Sequence, residues 1–134
     1  MIQEDKELLL KYLCMALPYR ISIDTPCGLD KLYQIYIDED IVFINGECFS
    51  IDNIKPYLRS MSSLTEEERN EYNNLYYQVS INVDNNGNTF RDMKILEWLH
   101  ISWFLKNHFD FMGLIPKGLA IEVTEDNNPY KTKS

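Results

Sequence analysis

The dipeptide Asn45-Gly46 restricts the fold of this chain more than any other feature of its sequence. Both residues tolerate positive φ, so together they favour a tight two-residue turn between antiparallel strands. Their flanks, 41–44 (IVFI) and 47–51 (ECFSI), have the β-branched and aromatic content of strands and predict a hairpin. Upstream, 19–24 (YRISID) reads as a strand closed by Thr25-Pro26-Cys27-Gly28. Segment 31–37 (KLYQIYI) reads as a second strand, ending at the acidic tip Asp38-Glu39-Asp40. Residues 19–51 are then most simply one antiparallel meander.

Helical patterning brackets this β region. Residues 3–17 carry acidic groups in the first turn, which suits the positive end of the helix dipole. Leu9, Leu13, Ala16 and Leu17 form one stripe, widened by Tyr12 and Met15, and Pro18 supplies the stop. Segment 52–63 reads as a connector, with Pro56 barring a central strand. Thr65 and Glu68 have capping-box spacing and open a second helix to about Tyr76. Segment 78–84 alternates as a strand, with Val79, Ile81 and Val83 on one face. A third helix runs from a cap at Thr89–Asp92 to about Asn107, and its stretch ILEWLHISWFL is apolar almost all round. Leu119–Val123 fits a last strand. The expected fold is α+β: an antiparallel meander of roughly five strands packed against three helices, the last long, central and largely buried. One domain is expected over 1–123, followed by a polar, frayed tail over 124–134.

Composition removes several function classes. The 134 residues include 21 Asp and Glu against 13 Lys and Arg, a formal charge of −8, whereas a general nucleic-acid binder needs a basic face. No apolar run approaches the roughly 18 residues that span a membrane, and no signal-peptide pattern is present. The three cysteines, Cys14, Cys27 and Cys48, form no CxxC pair, and no histidine lies at zinc-ligand spacing from them. Cys14 and Cys48 are expected to fill core space as small hydrophobes. These features together predict a cytoplasmic protein.

The sequence holds no strong catalytic motif. Asn82-x-Asp84-x-Asn86-Gly87 matches the opening of a calcium loop, but the twelfth position, where a bidentate carboxylate is needed, is Met93. A polar turn explains the same residues. No GxSxG elbow and no glycine-rich phosphate loop is present, and two histidines are too few for a histidine-based metal site. No metal or cofactor is expected. Glu66, Glu67 and Glu68 suit a helix start, and Asp38, Glu39 and Asp40 a solvated tip. For an enzyme, the available acid–base groups are Glu97, His100, His108 and Asp110, which would have to converge in one pocket. For a binding surface, the polar groups Lys106, His108, Asp110 and Lys117 in a glycine-containing loop are the expected site. The alternative is that Phe109, Phe111, Leu114 and Ile115 simply dock this segment on the core. Nine tyrosines, Tyr33 and Tyr36 among them, add weight to binding.

Three segments, QEDKELLLKYLCMALPY, IDNIKPYLRSMSSLTEEERNEY and EWLHISWFLKNHFDFMGLIPKGLAIE, resemble a family of small uncharacterised proteins. Its members occur mainly in gut Bacteroidales bacteria and their phages and prophages. The stretch NHFDF…GLI…GLAIE is the most specific part, and ISWFLK makes the third helix more apolar than is usual there. The resemblance implies a cytoplasmic accessory protein of a mobile element and brings no catalytic residue with it. The expectation is therefore a non-enzymatic binding protein whose partner is a host protein or a small ligand. The alternatives are a small enzyme with a dispersed site, and a homo-oligomer built through helix 92–107.

Overall fold

Helix α1 (Gln3–Ala16) is the centre of the core, with Leu9, Tyr12, Leu13 and Ala16 fully buried along the stripe its sequence presents. The computed structural model describes residues 2–80 and 93–130, and side chains outside 76–80 and 93–97. Pro18 stops α1 within a short 3-10 turn, and Arg20 follows in the left-handed region. Two sheets then form around the helix.

The first sheet contains β1 (Ser22–Thr25), β2 (Gly28–Lys31), β6 (Lys55–Leu58) and β7 (Ile121–Glu122), in the order β2-β1-β6-β7. All pairs are antiparallel except β6 with β7. The second sheet is a meander of β3 (Ile35–Asp38), β4 (Ile41–Ile44) and β5 (Glu47–Ser50). Its β4–β5 turn is Asn45-Gly46, with both residues at positive φ, as the sequence dictates. The α+β class holds.

Several elements differ from the sequence expectation, each for a physical reason. The strand expected over 31–37 is split: Leu32, fully buried, extends the β1–β2 ladder by donating its N–H to the Ile21 carbonyl at 2.8 Å, and the Tyr33 and Gln34 amides then turn to Asn45 Oδ1. The chain crosses there from one sheet to the other. Pro56 lies inside the first sheet, not in a connector. Opposite Ile23, it pairs with β1 where β7 has not yet begun, since β7 meets β6 only from Tyr57, so its missing N–H breaks no ladder bond. Helix α2 (Glu66–Ser80) continues through Gln78, Val79 and Ser80, where a strand was expected; 81–84 lie outside the described residues. So do the calcium-like turn and the cap at Thr89–Asp92.

Helix α3 (Met93–Lys106) is neither central nor largely buried along its described side chains. Trp103 and Leu105 are buried, but Trp98 is 62% exposed. The cysteines do not fill the core either: all three are exposed. Cys14 lies just off the α1 stripe, and Cys48 alternates outward from buried Phe49. The tail expected to fray from 124 is anchored as far as Tyr130. Its hydroxyl accepts from Ser22 N–H at 2.9 Å and donates to the Tyr57 carbonyl at 2.7 Å. Ser22 and Tyr57 would form the next β1–β6 pair after Ile23 and Pro56, so the phenol replaces a backbone rung where the strands part.

Candidate functional site

Helix α3 ends at Lys106, and the chain reverses through His108 at φ +63°. The four expected binding residues follow from this reversal, but they do not share a surface. Lys106 is exposed beside a concavity of ≈ 210 Å³ lined also by Tyr19, Glu71, Ser102 and Trp103. His108 packs its ring flat on Tyr130, with centroids 3.7 Å apart, and its Nδ1 is buried without a partner. Burial, with the charges of Arg59 and Lys31, lowers its pKa to about 4. Asp110 is buried, and its carboxylate accepts from Leu114 N–H at 2.8 Å and Ile115 N–H at 2.9 Å. Lys117 is exposed, 3.8 Å from Asp5.

The docking alternative accounts for most of this segment. Phe109 and Leu114 are fully buried, and the backbone around Phe109 pairs with Arg59 in both directions. Asp110 is a turn-forming carboxylate, holding two amides that would otherwise be left without partners. His108 closes the other side by holding Tyr130.

The described acid–base groups are equally dispersed. His100 packs on Tyr72 at 4.7 Å, His108 packs on Tyr130, and Asp110 is committed to two amides. The side chain of Glu97 lies outside the described residues. Among the described residues, no group of three His, Cys, Asp or Glu side chains is placed to hold a metal ion. No helix among them is long and apolar enough to cross a membrane.

Aromatic rings join the helices instead. Tyr72 of α2 stacks on Phe104 of α3 at 5.3 Å, Phe104 on Phe111 at 5.6 Å, and Phe111 reaches Tyr12 of α1 at 5.7 Å. Tyr12 donates its hydroxyl to the Phe109 carbonyl at 3.0 Å, and its burial pushes the phenol pKa up. Arg59 lies over the Phe109 ring at 4.2 Å and grips Glu68 with two bonds of 2.6 Å. These contacts tie the helices to one another and to the end of β6.

Among the described residues, exposed apolar side chains gather on the second sheet. Its pleat turns Val42 and Ile44 into the core, so Tyr36, Ile41 and Phe43 face outward together with Cys48. Tyr36 is 63% exposed and Ile41 44%, and the Tyr36 and Phe43 rings meet at 5.8 Å. Residues 32–54 contain Asp38, Glu39, Asp40, Glu47 and Asp52 but no Lys or Arg. Lys6 reaches across to Asp40, and that hydrogen bond raises the lysine pKa. Strand β3 is also an edge, with only β4 beside it.

The abundance of tyrosine, Tyr33 and Tyr36 included, does not by itself locate this surface. The signal was the alternation in 41–44: Ile41 and Phe43 are apolar on the face opposite Val42 and Ile44, where a solvated sheet face would be polar.

Compared with protein-family models, with curated proteins and with solved structures, the chain finds no match.

Proposed function

We propose that this chain is a non-enzymatic interaction protein that docks a protein partner on the outer face and free edge of the β3–β4–β5 sheet. The observation carrying this reading is the outward cluster of exposed Tyr36 and Ile41 with half-buried Phe43, on a sheet with an uncovered edge. Clustered aromatic and aliphatic side chains release water on docking, and an edge strand offers backbone groups for a further strand. Dispersal of His100, His108 and Asp110 into separate contacts favours binding over the acid–base alternative. The resemblance to Bacteroidales phage and prophage proteins supports a cytoplasmic accessory role, with a host protein seated on the outer face of the sheet.

Affinity capture from a Bacteroidales lysate, compared with the double variant Tyr36→Glu, Ile41→Lys, tests this reading. A protein retained by the wild type and lost with the variant is expected. Retention that is indifferent to both changes would sink it. A second reading, oligomerisation through helix 92–107, is favoured by the exposure of Trp98. In that case Trp98→Glu, rather than the sheet variant, would change the assembly.

A further inference from the structure

The hydrogen-bond register of the second sheet defines which backbone groups of β3 are unused. Asn45 N–H donates to the Gln34 carbonyl at 2.9 Å, so Gln34, Tyr36 and Asp38 direct their backbone groups toward β4. Ile35 and Ile37 therefore direct their N–H and C=O groups outward, and among the described residues nothing pairs with them. The other edge, β5, leads from Ser50 directly into a 3-10 turn at Ile51.

Resting on the docking surface proposed above, we infer that the partner strand on β3 is a second copy of this chain, antiparallel about a two-fold axis at Tyr36. This register places Ile35 opposite the partner's Ile37 and Ile37 opposite the partner's Ile35. Both outward pairs then exchange their N–H and C=O bonds. Tyr36 meets the partner's Tyr36 at the axis, an aromatic pair across the close, non-hydrogen-bonded position. Gln34 falls opposite the partner's Asp38, so no two carboxylates face each other directly.

Charge is also complementary in this register. Tyr33 precedes β3 and Glu39 follows it in a turn, so the antiparallel register brings Tyr33 near the partner's Glu39. The Arg20 guanidinium covers the Tyr33 ring at 4.7 Å. Among the described residues neither Arg20 nor Glu39 has an ion-pair partner, and both are exposed. Each copy therefore presents an unpaired cation where the other brings an unpaired carboxylate. The two acidic tips stand about 20 Å apart, taking about 3.3 Å per residue on either side of the axis, well beyond a Debye length of about 8 Å.

Sedimentation of the purified chain across the micromolar to millimolar range tests the inference. The wild type is expected to dimerise with concentration, and Ile37→Pro, which removes one outward N–H, to remain monomeric with unchanged circular dichroism. Arg20→Glu and Glu39→Arg should each weaken the dimer about tenfold, and combining them should restore it to within about threefold. If the proline variant fails to fold, the charge exchange decides alone. A wild type that stays monomeric at millimolar concentration overturns the inference, as does a double variant no tighter than the singles. A dimer abolished only by Trp98→Glu overturns it too. Monomeric protein that still captures a lysate partner through Tyr36 leaves the interaction reading intact and removes only the second copy.

Discussion

His108 combines a left-handed backbone, a ring stacked on Tyr130 and a buried nitrogen without a partner. The imidazole is neutral in the fold because burial opposes its charged form, but it takes up a proton freely once the chain unfolds. Stability is therefore untouched above the ordinary histidine range near 6.5 and declines as pH falls to about 4. His108→Phe keeps a ring against Tyr130 and removes the titration. Thermal melts of this variant should be flatter between pH 6.5 and 4, sparing about 1–2 kcal/mol of the acid loss after solvent screening. Identical slopes for variant and wild type would contradict this account. The stack was not legible in the sequence, since it joins positions 108 and 130 and the tail around Tyr130 has the polar composition of a frayed end. Asp110 misled for a different reason. A buried carboxylate that binds two local amides looks, in sequence, like any other polar residue of a loop.

Helix α2 was more legible because its start is governed by residues three apart. Thr65 N–H donates to Glu68 Oε1 at 3.0 Å, and Glu68 N–H donates to Thr65 Oγ1 at 3.1 Å, forming the capping box that the spacing implied. What spacing could not reveal is Arg59, whose bidentate grip on Glu68 ties the helix start to the end of β6. That grip, reinforced by the Thr65 amide, lowers the Glu68 pKa to about 2. Its contribution is complete above the ordinary glutamate value near 4.5 and is lost as pH falls toward 2. Glu68→Gln should cost about 1–2 kcal/mol at neutral pH, read by urea denaturation, and should narrow its gap to the wild type below pH 4. A gap that stays constant with pH would mean that the ion pair contributes nothing. The same local logic explains where reading α2 and α3 failed. Alternation over 78–84 imitated a strand, although 78–80 are helical. The apolar run of α3 imitated a buried helix, although Trp98 faces solvent.

At the scale of the whole molecule, two sheets share one core around α1, and Asn45 is the residue that fastens one to the other. The sequence marked Asn45 as a turn former, and its φ of +52° agrees. Its side chain does a second job that no local pattern encodes. Oδ1 accepts from Tyr33 and Gln34 N–H at 2.8 and 3.0 Å, while Nδ2 donates to the Lys31 carbonyl at 2.6 Å and to Asp30 at 3.2 Å. The turn of the second sheet thus holds the crossing segment that leaves the first, which is why 31–37 divides into two strands around Leu32 instead of forming one. Glycine separates the two roles, because it keeps the backbone conformation and removes only the side-chain bonds. Asn45→Gly should lose about 1–2 kcal/mol, since these exposed bonds compete with water. Asn45→Ala should lose about 1–2 kcal/mol more, the cost of a left-handed backbone at a residue with a Cβ. Hydrogen exchange supplies the sharper readout: the Tyr33 and Gln34 amides should exchange much faster in both variants, while amides in the β1–β2 hairpin keep their protection. Unchanged protection at Tyr33 and Gln34 in the glycine variant would show that packing of Leu32 alone holds the crossing.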